Sequence, residues 1–225
     1  MNHLPDSAPA ATPLSERNRL MPNLPWPPRI VHIVLLAALA FATASPAAVH
    51  DYAFDPVHSQ LVFHVSHLGF STSAGEFHGL SGGFSFDRKH WEKSHCDVVI
   101  DVYSLDMDDA AWEKRLLGKV WFDVKQFPTM RFVCDRLEPI NASHGRLHGR
   151  LTIRGIEQAL SLELTFNRAG IDKYTLQSVA GFSASTQLRR SDFGMLKFLP
   201  DVGDLITIEL QIEGIRRSRS HAAEK

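Results

Sequence analysis

From residue 61 onward apolar and polar residues alternate along segment after segment, and that period of two constrains the fold more than any other feature. Successive side chains of an extended strand point to opposite faces. In "LVFHVSHLG", Phe63, Val65 and His67 therefore share one face, and Val62, His64 and Ser66 share the other. Phe84 and Phe86 alternate with Ser85 and Asp87, and Val98, Ile100 and Val102 share a face of "CDVVIDVYS". Leu147, Leu151 and Ile153 oppose Arg146, His148, Arg150 and Thr152. Leu160, Leu162, Leu164 and Phe166 form the next apolar face, and Ile206, Ile208, Leu210 and Ile212 the last. One greasy and one wet face per strand is the pattern of an antiparallel sheet. About eight such strands must bury their apolar faces against one another, in a two-sheet sandwich or in a sheet closed into a barrel. An eight-stranded barrel either fills with side chains or keeps room for one small ligand. Periodicity does not choose among these.

One segment breaks the rhythm. "DDAAWEKRLLG" sets Trp112 and Leu116 four apart, with Asp108 as N-cap and Gly118 as the stop, which predicts a single helix of about ten residues.

The N-terminal part follows different rules. Residues 1–28 are rich in Pro, Ala, Asn and Ser without periodicity, and are expected to be a disordered extension. Arg29 then precedes the apolar run "IVHIVLLAALAFA" and the small residues "TASPAA", the order of a secretory signal over 29–47. Cleavage after Ala47 satisfies the small-x-small rule through Ser45, and Met21 is an alternative start that gives a signal of ordinary length. Residues 48–225 are then the exported domain, expected to fold outside the cytoplasm. Its two cysteines, Cys96 and Cys134, can pair in an oxidising compartment if their geometry allows it, which sequence does not decide.

The whole chain is 44% hydrophobic, enough for a core, and its 24 basic against 25 acidic residues leave a formal charge of −1. No basic stripe offers a nucleic-acid footprint, so no nucleic-acid partner is expected. G-x-S-x-G, P-loop, H-E-x-x-H and paired-cysteine redox motifs are all lacking. His64 and His67 look like half a metal site, but three residues apart on one strand they face opposite ways. The histidine spacings match no standard zinc pattern, so neither a metal site nor a catalytic group is assigned. His64 falls on the wet side. His67 falls with Phe63 and Val65, either as a satisfied buried imidazole or as a polar handle inside a greasy pocket.

Four stretches resemble the YceI-like family in order and spacing: "DPVHSQLVFHVSHLGFSTSAGEFHGLSGGFSFD" (55–87), "WFDVKQFPTMRF" (121–132), "GRLTIRG" (149–155) and "RRSDFGMLKFLPDVGDLITIEL" (189–210). The resemblance covers roughly residues 51–216. It implies an all-β fold: a lipocalin-like, extended antiparallel eight-stranded β-barrel with one short helix beside it, exported to the periplasm. It also implies a long isoprenoid lipid, either a polyprenyl chain or an isoprenoid quinone, held in an apolar tunnel, with no other cofactor. Trp112 and Trp121 depart from the more polar pattern of many relatives and are expected to reshape the tunnel mouth.

On that basis the expected ligand-binding wall is Phe63, Val65 and His67, joined by Phe77, Phe84, Phe86 and Phe132, with Phe182 and Phe193 from the later part of the chain. Arg154 and Arg190 are either head-group contacts or surface ion pairs. The expected partner is a hydrophobic small molecule. A membrane cytochrome that uses bound quinone is compatible with the resemblance, and a homodimer is left open. The rival reading is an enzyme acting on a hydrophobic isoprenoid-type substrate through His67 and an inward carboxylate.

Overall fold

The computed structural model describes residues 49–218, so the extension expected over 1–28 and the signal expected over 29–47 lie outside the described residues. Within them run β1 (His50–Phe54), β2 (Gln60–His67), β3 (Ser71–Phe77), β4 (Leu80–Phe86), β5 (His95–Asp101), β6 (Leu105–Asp106), α1 (Ala110–Leu116) and β7 (Thr129–Pro139). The chain continues through β8 (His144–Ile153), β9 (Ile156–Ile171), β10 (Ser178–Arg189) and β11 (Val202–Arg216), with short 3-10 turns at Trp91–Lys93, Val102–Ser104 and Arg190–Phe193.

These segments make eight staves. β11 pairs with β2 from Val202 to Gln211 and with β1 from Gly214 to Arg216, so β1 and β2 are two halves of one broken strand. β3 pairs with β2 and β4 with β1, which makes β3 and β4 a second broken strand. β5 continues the sheet from β4, and β6 continues the same stave against β3. β7 through β11 follow in order, every pairing is antiparallel, and the β11–β1 contact closes the ring. Closure settles the choice that alternation left open, in favour of the lipocalin-like barrel. It also removes the unpaired edge that an open sheet would expose.

Local chemistry sets the corners. Between Ile153 and Ile156, which pair with each other, the two-residue turn Arg154–Gly155 has φ of 53° and 73°. Two positive φ values suit the right-handed twist of the flanking strands. Bulges at Cys134/Arg136 and Gly181/Phe182 bend the long staves around the barrel.

Inside, the apolar faces fall into two clusters. The smaller is aromatic: Tyr52, Phe86, Trp91, Phe166 and Phe182, with Phe84 packed against it. Phe182 meets Phe86 and Phe84 edge to face, with centroids 5.0 and 5.4 Å apart, geometries that favour aromatic pairs beyond simple burial. Gly214 makes the space, since a Cβ there would lie 2.5 Å from the Phe84 ring. Each ring contributes about 1.5–3 kcal/mol of burial, so this end of the barrel is a solid plug.

The helix is shorter than expected, seven residues, and its cap is Asp109 rather than Asp108: the Asp109 carboxylate accepts the Trp112 N–H at 2.7 Å. Asp108 has φ of 55°, placing it in the turn before the cap. Trp112 and Leu116 lie on one face of α1, as their spacing predicts, and both pack against the larger cluster.

Candidate ligand-binding cavity

Away from the aromatic plug the barrel is hollow. A cavity of about 650 Å³ opens inside the larger cluster. Its wall is built from the inward positions of the staves: Leu61, Phe63, Val65 and His67 of β2, Val98 and Ile100 of β5, Met130 and Phe132 of β7, and Ile206, Ile208 and Leu210 of β11. Trp112 and Leu116 of α1, with Trp121, Phe122 and Phe198 from the loops, complete it as a partial roof.

Five of the nine residues expected to form a binding wall line this space together: Phe63, Val65, His67, Phe77 and Phe132. Phe84, Phe86 and Phe182 belong to the plug instead and do not reach it. Phe193 is 2% exposed and packs within the larger cluster without facing the hollow. Met107, Met130, Met195 and Phe198, outside the expected wall, also line the cavity. Met130 was legible in the alternation of "MRFVCDR"; the other three sit in loops or short turns, where no period marks the inward side.

The two histidines of the opening strand part as the period of two requires. His67 lines the cavity and His64 does not. The His67 ring is half-buried and bonds to no other side chain among the described residues. His58 and His78 are paired elsewhere, with Asp55 at 2.9 Å and Asp106 at 3.2 Å. Asp55, His58 and Glu213 bring donor atoms within 4.8 Å of one another, but the other Asp55 oxygen already accepts the Val57 and His58 N–H groups of its turn.

The polar residues of the lining are His67, Ser73, Asp109, Arg115, Thr186, Arg190 and Asp201. His67, Arg190 and Asp201 stand where β2 and β10 end and β11 begins. Arg190 is 2% exposed, and its guanidinium donates to the backbone oxygens of Gly203 at 2.8 Å, Val202 at 2.7 Å and Met195. It also lies over the Trp121 ring. Burial pulls its pKa down, against the opposing field of Asp204. Three of its five N–H groups are thereby committed, leaving two. The Trp121 indole N–H is buried with no hydrogen-bond partner among the described residues. Arg154 forms no ion pair among the described residues; it donates to the Gly194 oxygen at 3.1 Å and the Lys119 oxygen at 3.4 Å, tying two loops together.

Such a site suits one kind of molecule. Its wall is mostly apolar; the Thr186 hydroxyl on it is already spent on the Ser161 oxygen at 2.7 Å, and the Trp121 N–H is the buried donor left without a partner among the described residues. The volume falls within the range of about 300–1,000 Å³ typical of small-molecule pockets.

Eight antiparallel staves closed on a plugged, roofed, apolar hollow define a lipocalin-like binding barrel. More specifically, the chain belongs to the YceI-like family, whose domain pattern matches residues 52–214. It is similar to a UPF0312 protein of Vibrio parahaemolyticus, 32% identical over 186 residues that cover 80% of this chain and 95% of the relative. Among solved structures it resembles a YCEI protein of Campylobacter jejuni, with a TM-score of 0.62, 25% identity and coverage of 68% of this chain and 90% of that one. The fold also matches Burkholderia cenocepacia BcnA at a TM-score of 0.65 and 24% identity, covering 71% of this chain and 98% of that one. A polyisoprenoid binding domain from Saccharophagus degradans, implicated in plant cell wall breakdown, aligns at a TM-score of 0.55 and 14% identity, covering 76% of this chain and all of the other.

Proposed function

We propose that the protein binds a long isoprenoid lipid, a polyprenyl chain or an isoprenoid quinone, and sequesters or carries it through the periplasm. The observation that carries this reading is the hollow itself, lined mostly by apolar side chains. A polyprenyl chain has no polar groups to desolvate, and burying each CH₂ is worth about 0.8 kcal/mol before ordering and association costs are subtracted. Several isoprene units suffice for tight binding. The head group stays at the mouth, where His67, the free donors of Arg190 and the Trp121 N–H can meet an oxygen. The polyisoprenoid binding of the Saccharophagus domain, which shares the fold, supports this ligand class. Export rests on the Arg29-led apolar run and the small residues after it. A bound quinone would be available to a membrane cytochrome, and a homodimer is compatible with the same role.

The test is uptake of a fluorescent polyprenyl probe by the purified protein and by Phe132→Arg. Uptake by the first and its loss in a folded variant support the reading; unchanged uptake by Phe132→Arg removes the cavity from it. The rival enzyme reading keeps one foothold, because Asp109 and Asp201 line the same cavity as His67. If turnover of an isoprenoid substrate is lost in His67→Gln while probe binding persists, the protein is an enzyme.

A further inference from the structure

Cys96 on β5 and Cys134 on β7 oppose each other across adjacent staves. The ladder pairs Asp97 with Val133 and Val98 with Phe132, and one further step of that register sets Cys96 against Cys134. Directly opposed residues of an antiparallel pair project to the same face, with Cα atoms about 4.5 or 5.5 Å apart. Both spacings fall within the span of about 4.4–6.8 Å that a disulfide bridges. The face is the inner one, since Val98 and Ile100 on β5 and Met130 and Phe132 on β7 continue the same alternation into the cavity wall. Cys134 is 8% exposed within the larger cluster, and the half-buried Cys96 packs against it.

Both are free thiols, and each feels the other. Hydrogen bonding with Cys134, followed by burial, pushes the Cys96 thiol up, whereas hydrogen bonding from Cys96 draws Cys134 down. The pair therefore gives up its first proton more readily than its second, because the remaining S–H stabilises the thiolate beside it.

We propose that Cys96 and Cys134 are a modification site, joined as an intramolecular cross-strand disulfide by exchange with a disulfide donor. One thiolate attacks a donor sulfur, forming a mixed disulfide and releasing one donor thiolate. The second protein thiolate attacks the protein sulfur of that mixed disulfide, expelling the other donor thiolate. The two protons leave the cysteines and end on the two donor thiols; the protein is oxidised and the donor reduced by two electrons. The opposed register means that neither stave must slide. The chain between the two cysteines carries β6, α1 and Trp121, so the bridge closes the base of the segment that roofs the cavity. None of this depends on which ligand the cavity holds.

The experiment treats the purified protein with oxidised glutathione, then measures intact mass, a non-reducing peptide map and thermal unfolding. The expected results are a mass lower by two hydrogens, a Cys96–Cys134 linked peptide in the monomer, and a Tm raised by about 5–10 °C that reductant reverses. Cys96→Ser and Cys134→Ser should each lose the linked peptide and the redox-dependent shift. The double serine variant, whatever its own Tm, should show no redox-dependent shift. Two thiols still titratable after denaturing the oxidant-treated protein, or a bridge found only between molecules, would overturn the proposal.

Discussion

The guanidinium carbon of Arg190 lies 5.0 Å from the centre of the Trp121 ring, while its nitrogens hold the backbone oxygens of Met195, Val202 and Gly203. One buried cation thus joins the roof loop, the 3-10 turn after β10 and the start of β11. Replacing it with Met strands three acceptors, and Lys restores charge without the planar fork. Arg190→Met should lose about 2–4 kcal/mol in urea unfolding, and Arg190→Lys should recover only part of that.

Gly149 lies beneath Phe132 on the neighbouring stave. A Cβ there would stand 2.5 Å from the ring and 2.4 Å from the Val133 oxygen. Since backbone cannot yield cheaply, Gly149→Ala should cost about 1–3 kcal/mol by thermal unfolding. Phe132 must move into the hollow to make room, so probe affinity should fall with it.

The plug sets the depth of the cavity. Phe182→Ala removes a ring packed against Phe84, Phe86 and Phe166, and should destabilise the barrel by about 3–5 kcal/mol. It should also extend the hollow toward the closed end. Binding measured over a series of polyprenyl lengths should then shift its optimum to longer chains.

Asp204 predicts an acid-side dependence. Burial raises its pKa, but the N–H and hydroxyl of Ser191, at 2.9 and 2.8 Å, together with Arg189, lower it further, and the net direction is down. A folded value below the unfolded one contributes stability above the unfolded pKa of about 3.9, and that stability is lost as pH falls through the folded value. Asp204→Asn should therefore cost about 1 kcal/mol at neutral pH and show a flatter loss of stability below about pH 4, measured by urea titration.

Much of this architecture was legible in the chain because each stave buries one face only. The inward turn of Phe63, Val65 and His67, and the separation of His64 from His67, follow from the period of two. Axial position does not. Phe86 and Phe132 are the same residue type on inward positions, yet one fills the plug and the other lines the hollow, because height along the barrel depends on shear and register. The breaks between β1 and β2 and between β3 and β4 interrupt staves that keep the same neighbours on both sides, so recognising each pair of segments as one stave required the pairing. Capping by Asp109 instead of Asp108 turns on one backbone dihedral between identical neighbours. The opposition of Cys96 and Cys134 required the pairing of β5 with β7, which no local pattern encodes.

Native mass spectrometry of the undenatured protein, purified from a host that makes polyprenyl lipids and then offered a defined polyprenyl alcohol, tests the lipid-carrier function most directly. The expected spectrum shows the protein with the added mass of a single isoprenoid lipid, displaced or matched by the alcohol and absent from folded Phe132→Arg. A spectrum with only the bare protein mass, before and after the alcohol is offered, would contradict it.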